Sequence, residues 1–180
     1  MHVLGSELDT SMKVCVLGDR ELPIVQACLA VLQAKGVEIV DRLDGADVAI
    51  APLLTEKLTL DEVAKTKAGV LIFHPSLLPR HRGRDSIKWA FKQGETYTGA
   101  TWFWAGEGLD TGDICEQEVL AIRPDERPRE FYERAVIPSA ARMLGYIIED
   151  LAKGVVRRRP QQHENATFEP GLPKKSESSE

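Results

Sequence analysis

The run Val70-Leu71-Ile72-Phe73 carries no polar side chain on either face and stops abruptly at His74-Pro75. Successive side chains of a strand point to opposite faces, so a run that is apolar throughout needs cover on both sides. Such a strand belongs at the centre of a sheet with a layer on each face, and parallel pairing is expected for it. The chain around it agrees. Lys13 to Leu17 is β-branched and apolar and ends at Gly18, while Val37 to Val40 and Asp47 to Leu53 form two more short strands, with Pro52 marking the end of the second. Pro23 opens a stretch with Ile24, Val25, Cys28, Leu29 and Leu32 at helical spacing, closed by Lys35-Gly36. Thr59 and Glu62 make a capping box for a short helix, and another helix starts at Asp85 or Ser86 and ends near Gln93-Gly94.

Beyond that point the pattern changes. Thr98 to Ala105 and Ile114 to Ile122 are strands joined by a Gly-rich loop with no helix between them, which predicts antiparallel pairing. A long amphipathic helix is expected from about Arg127 to Lys153, kinked at Pro138. Alternating strands and helices followed by an antiparallel pair predict a Rossmann-like three-layer α/β domain with a mixed, mostly parallel sheet. The domain is expected over residues 12–165. Residues 1–11 read as a flexible extension, Met12 as a natural start, and the polar stretch 166–180 as a disordered tail.

Charge and cysteine usage limit the partners. A net charge of −5 leaves no broad basic footprint for a nucleic-acid backbone, and Arg157-Arg158-Arg159 reads as the solvated end of a helix. No apolar segment approaches the ~20 residues of a membrane span, and the start of the chain lacks the charged and apolar regions of a signal peptide. Cys15, Cys28 and Cys115 are odd in number and widely spaced, as expected of buried thiols in the reducing cytoplasm. Neither the histidines nor the cysteines show metal-ligand spacing, so no metal is expected. The first strand ends in Gly18-Asp19-Arg20 rather than in G-x-G-x-x-G, so no nicotinamide cofactor is indicated.

Two loops carry the chemistry. His74 stands at a strand end before Pro75, where an imidazole can take and return a proton. Asp110 lies in Gly108-Leu109-Asp110-Thr111-Gly112-Asp113, where it could hold the ring and favour its charged form. Taken singly, each has an ordinary structural alternative: a histidine closing a strand, and an aspartate in an Asx turn. Asp113, directly before a strand, reads as structural. Arg80, His81 and Arg82 form a basic patch that either receives an anionic substrate tail or solvates its loop. Trp102, Phe103 and Trp104 read as core.

Paired and in order, His74-Pro75-Ser76-Leu77-Leu78-Pro79 with Arg82-Gly83 and then Gly108 to Asp113 resemble the signature of the formyltransferases that use 10-formyltetrahydrofolate. The likeness also runs through Phe103-Trp104-Ala105 and Arg157 to Phe168. It is strongest to the N-terminal hydrolase domain of 10-formyltetrahydrofolate dehydrogenase, and is shared with methionyl-tRNA formyltransferase and sugar N-formyltransferases. The resemblance implies a formyltransferase fold and transfer of the formyl group to a small-molecule amine or to water. His74 would stabilise the oxyanion and relay protons, and Asp110 would orient it and help activate the nucleophile. Leu53, Leu54, Thr55, Ile72, Gly106, Glu107, Gly108 and Leu109 would line the folate site.

Two departures from that family stand out. The transferases carry an Asn where this chain has Ile72, and an isoleucine donates no hydrogen bond; losing one oxyanion donor typically costs ~100–1000-fold in rate. Family members also hold some tens more residues between the first and third strands, so the fold is expected to be shortened near its N-terminus. These departures keep open a catalytically weak folate-binding module, or a homo-oligomer assembled through a trimmed sheet edge.

Overall fold

The computed structural model describes residues 11–174; the expectation for residues 1–10 and for the last six positions lies outside the described residues. Six strands form one sheet in the order β2-β1-β3-β4-β5-β6. They are β1 (Lys13–Val16), β2 (Glu38–Val40), β3 (Val48–Ala51), β4 (Val70–His74), β5 (Tyr97–Trp104) and β6 (Ile114–Ala121). The first four run parallel, and β5 and β6 are antiparallel to their neighbours. The all-apolar strand sits inside the sheet as expected, parallel to β3 on one side and antiparallel to β5 on the other.

Sheet alternation sorts the core. On one face Val14, Val16, Ile50, Leu71, Phe73, Trp102 and Trp104 meet α1 (Pro23–Ala34) and α5 (Ile137–Ala152), which contribute Ile24, Cys28 and Leu32, and Met143, Leu144 and Ile147. The buried Trp102 indole donates to the Ala140 carbonyl at 3.0 Å, so its burial leaves no orphan donor. The opposite face presents Cys15, Ala49 and Val70, whose short side chains need only a thin cover. The chain passes from β2 to β3 through residues 41–47 without a helix, and Leu43 from that passage joins Leu58 and Val63 to cover this face. Val63 belongs to the single turn α2 (Leu60–Val63), which starts with the capping box of Thr59 and Glu62, and α3 (Ser86–Lys92) follows β4. The layers are therefore three but unequal.

Three expectations are corrected. The long helix is divided into α4 (Pro128–Phe131), a π-helical stretch Tyr132–Val136 and α5. Pro138 stands in the first turn of α5, and the Ile137 amide bonds back to the Tyr132 carbonyl. The wide turn makes room ahead of a ring that has no N–H to donate, so the disturbance precedes Pro138 rather than occurring at it. Arg157-Arg158-Arg159 is no helix end, since α5 stops at Ala152; Arg158 and Arg159 are exposed, yet the run is tied to the sheet. Arg158 stacks on Trp104 with its guanidinium 4.3 Å from the ring, Arg157 pairs with Glu116 and Asp150, and Arg159 bridges to Ile114 of β6. Residues 166–172, expected within the tail, instead bond to the loop after β4: the Thr167 hydroxyl accepts from the His81 amide, and the Leu172 amide donates to Asp85.

All three cysteines are buried and unpaired. Burial pushes the Cys28 thiol up to about 12 and the Cys115 thiol up to about 11. The thiolate is the reactive form, so none of the three is expected to react with a disulfide reagent at pH 8 until the protein is unfolded. Absorbance of the released aromatic thiolate, read with and without denaturant, checks this.

Candidate active site

His74 is the last residue of β4 and pairs with Thr101 of β5, on the same sheet face as Ile72 and Phe103. Residues 75–85 fold back over that face and place Leu78 against Ile72, Phe103 and Ile114. Side chains of the sheet anchor the loop. The Thr101 hydroxyl donates to the Ser76 carbonyl at 2.7 Å, and the Gln117 amide donates to the Leu78 carbonyl at 2.9 Å. The loop returns the His81 carbonyl to the His74 ring, where Nε2 meets it at 2.7 Å. A carbonyl only accepts, so Nε2 carries the proton and Nδ1 of the neutral ring keeps its lone pair. That nitrogen faces Asp110 Oδ2 at 3.7 Å, beyond hydrogen-bond length. His74 is 7% exposed, so little of it meets solvent.

Asp110 is carried by a loop that doubles back along the sheet. Because β5 runs antiparallel to β4, it ends beside the start of β4, with the Ala105 amide on the Val70 carbonyl. The loop 106–113 must then turn back to bring Asp110 to His74 at the opposite end of that strand. Both loops thus converge on the open sheet face, rather than all lying beyond the carboxyl ends of parallel strands. Asp110 has a φ of 54°, uncommon for a residue with a side chain. Its Oδ2 accepts the Gly83 amide at 2.7 Å. Gly112 lies so close to the preceding strand that a Cβ there would stand 1.6 Å from the Trp104 carbonyl oxygen.

The patch Arg80-His81-Arg82 neither solvates its loop nor waits for an anion. His81 and Arg82 are buried and internally paired. His81 Nδ1 lies 2.9 Å from Glu169 and Nε2 lies 2.9 Å from Glu95, which also receives Arg80 at 2.6 Å. Arg82 donates to the Gln161 side-chain oxygen at 2.8 Å and stands 2.8 Å from His163 Nδ1. The carboxylates are supplied from 14 and 88 residues away, which no local pattern around His81 announces.

The remaining candidates divide. Ile72 lies on the His74 face, packed with Leu78 and Phe103. Gly106, Glu107, Gly108 and Leu109 form the exposed outer part of the Asp110 loop. Leu53, Leu54 and Thr55 follow β3 and make no hydrogen bond to that loop among the described residues; a Cβ on Gly18 would lie 3.2 Å from the Leu53 carbonyl oxygen. Glycine there lets the ends of β1 and β3 close together at the point where the sheet's connections diverge. Sequence reasoning missed the His81 carbonyl, the Gly83 amide and the buried Gln161. The last lay in view within Arg157 to Phe168.

The arrangement suits transfer of a proton at a buried electrophile: a fixed ring, one free basic nitrogen, and a carboxylate near enough to favour the imidazolium once it forms. A family model described as Formyl transferase matches residues 30–143. Cytosolic 10-formyltetrahydrofolate dehydrogenase of Mus musculus is 37% identical over 131 residues, which cover 73% of this chain and 14% of that protein. The chain thus spans about one-seventh of that relative's length. Among solved structures, HypX from Aquifex aeolicus in complex with tetrahydrofolic acid superposes with a TM-score of 0.78 at 22% identity, over 90% of this chain and 30% of that one. The formyltransferase PseJ from Anoxybacillus kamchatkensis, in complex with a formamido sugar nucleotide and tetrahydrofolate, gives 0.73 at 23% identity over 87% and 85%. These two likenesses establish the shared fold.

Proposed function

Because this chain belongs to the formyl transferase family, we propose that it moves the formyl group of 10-formyltetrahydrofolate to an acceptor amine or to water, with His74 and Asp110 as its catalytic residues. The observation that carries this is the free Nδ1 of a pinned His74 facing a carboxylate at 3.7 Å. The nucleophile attacks the formyl carbon while Nδ1 takes its proton, and the carbonyl electron pair moves onto oxygen. The Asp110 carboxylate favours the resulting imidazolium. Collapse of the tetrahedral species breaks the bond from carbon to the folate nitrogen, and the proton on Nδ1 passes to that leaving nitrogen.

For the folate we propose Leu53, Leu54 and Thr55 beyond β3, Ile72 on the sheet face, and Gly106, Glu107, Gly108 and Leu109 along the Asp110 loop. Leu53 and Leu109 are 41% and 59% exposed, apolar surface that a ring would cover. The tetrahydrofolate named in the HypX and PseJ complexes supports this choice of ligand. No helix of the described residues is long and apolar enough to cross a membrane. The free thiols suit a reducing compartment, and we propose the cytosol, the compartment named for one of its two mouse relatives, the other being mitochondrial.

Ile72 favours one second reading, a module that binds folate without turning it over, since an isoleucine, which donates no hydrogen bond, stands where the transferases carry an Asn. One assay separates the two. Incubation with 10-formyltetrahydrofolate, with and without added amines, is expected to release tetrahydrofolate. Formate appearing without amine marks hydrolysis, whereas strict dependence on an amine marks transfer. Tight binding of a stable folate analogue with no turnover would establish the second reading, and the absence of both would overturn the pair.

A further inference from the structure

Gln161 is 5% exposed although it sits in an otherwise exposed segment. Its side-chain nitrogen donates to the Asp110 carbonyl at 2.9 Å and to the Gly112 carbonyl at 2.7 Å. Its oxygen accepts from Arg82 Nε at 3.2 Å and Nη2 at 2.8 Å. The amide orientation is forced, because carbonyls only accept and a guanidinium only donates. One buried side chain therefore joins the loop that delivers Asp110 to the loop that delivers Gly83 and the His81 carbonyl. Between those bonds Asp110 holds a left-handed backbone at φ 54°, a conformation that persists in such a residue only when its surroundings impose it.

We propose that Gln161 is a positioning residue for the reaction: by clamping the carbonyls of Asp110 and Gly112 to Arg82, it sets the Asp110 carboxylate opposite Nδ1 of His74. The inference rests on the catalytic roles proposed for His74 and Asp110. Gln161 touches neither reacting atom, and its effect passes through Asp110. Releasing the clamp lets the loop relax from its left-handed turn, withdraws the carboxylate, and leaves the imidazolium of the transition state without its counter-charge. Leu53, Leu54, Thr55 and Ile72 of the proposed folate site lie outside the clamped loop, so the loss falls more on kcat than on KM.

The test uses three substitutions in the full chain. Gln161→Met removes all four hydrogen bonds at similar volume. Gln161→Glu keeps the acceptor for Arg82 but has no donor for the two carbonyls. Asp110→Asn is made alone and together with Gln161→Met. Both Gln161 variants are expected to lose about 10- to 100-fold in kcat, with smaller changes, under tenfold, in KM and in the dissociation constant of a folate analogue. In the double variant the Gln161→Met loss shrinks to less than threefold, because the carboxylate that Gln161 positions is already gone. Additive losses, or a loss confined to KM, would overturn the proposal.

A second readout does not need turnover. Hydrogen exchange at the Gly83 amide, which donates to Asp110 Oδ2, is expected to speed at least tenfold in Gln161→Met, while amides of β4 stay protected. Unchanged protection at Gly83 would overturn the positioning role. An inactive wild-type chain whose Gly83 amide still responds would overturn the proposed activity and leave the clamp standing.

Discussion

His74→Ala is expected to lose roughly 10³-fold in turnover of 10-formyltetrahydrofolate, in the middle of the range for removing a general acid–base group, while still binding a folate analogue. The ring contributes two separable things. Through Nε2 it bonds the His81 carbonyl at 2.7 Å, and through Nδ1 it offers the basic nitrogen that faces Asp110. His74→Gln distinguishes them, because an amide nitrogen can replace Nε2–H toward His81 but supplies no base. The Gln variant should therefore be as slow as the Ala variant and melt closer to the wild type. Steady-state rates, analogue calorimetry and thermal melts on the three proteins check this. A Gln variant within tenfold of the wild-type rate would remove His74 from proton transfer.

Gly112→Ala is expected to destabilise the fold by at least about 3 kcal/mol, at the upper end of overpacking costs. A Cβ at Gly112 would overlap the Trp104 carbonyl at 1.6 Å, and that oxygen belongs to backbone inside the sheet rather than to a side chain that can swing away. The neighbouring Asp113 carbonyl accepts the Trp104 amide at 2.8 Å, so moving Gly112 aside breaks the join between the loop and β5. It also withdraws one carbonyl from Gln161. A loss of this size lowers the melting temperature of a chain this long by roughly 6–12 °C. Gly145→Ala is the control of opposite sign. It lies in α5, where an added Cβ meets only side-chain atoms at 3.7 and 3.8 Å, and alanine there should raise stability by ~0.5–1 kcal/mol. Thermal melts that give both substitutions the same sign would remove the steric account.

Much of the fold was legible because its signals are local. The capping box of Thr59 and Glu62 spans three residues and forms as expected. The helix opened by Pro23 closes beside Lys35-Gly36, where Lys35 is the C-cap and Gly36 takes a φ of 69°. The antiparallel pairing of β5 and β6 follows from a join that carries no helix. Other features escaped because their partners are remote in sequence. The Arg157 to Arg159 run reads as an unpartnered helix end until Trp104, Glu116 and Asp150 are brought beside it. His81 and Arg82 look like an exposed basic patch until Glu95, Glu169, Gln161 and His163 surround them. Residues 166–172 run into the polar Lys174 to Glu180 end and read as part of its tail, yet their backbone and side chains bond to the loop after β4.

The division has a physical cause. Sequence alone determined that β4 is interior, that His74 stands at its end, and that a glycine-bracketed loop carries Asp110. Those follow from side-chain alternation, backbone sterics and turn chemistry, which act over a few residues. Only the tertiary structure decided what the pair can do. Which nitrogen of His74 is free depends on a carbonyl seven residues on, delivered by a loop that folds back. Where the Asp110 carboxylate stands depends on Gln161, 51 residues away. Hydrogen bonds over such separations form only after the sheet has gathered the loops onto one face, and no short-range pattern in the chain encodes that geometry.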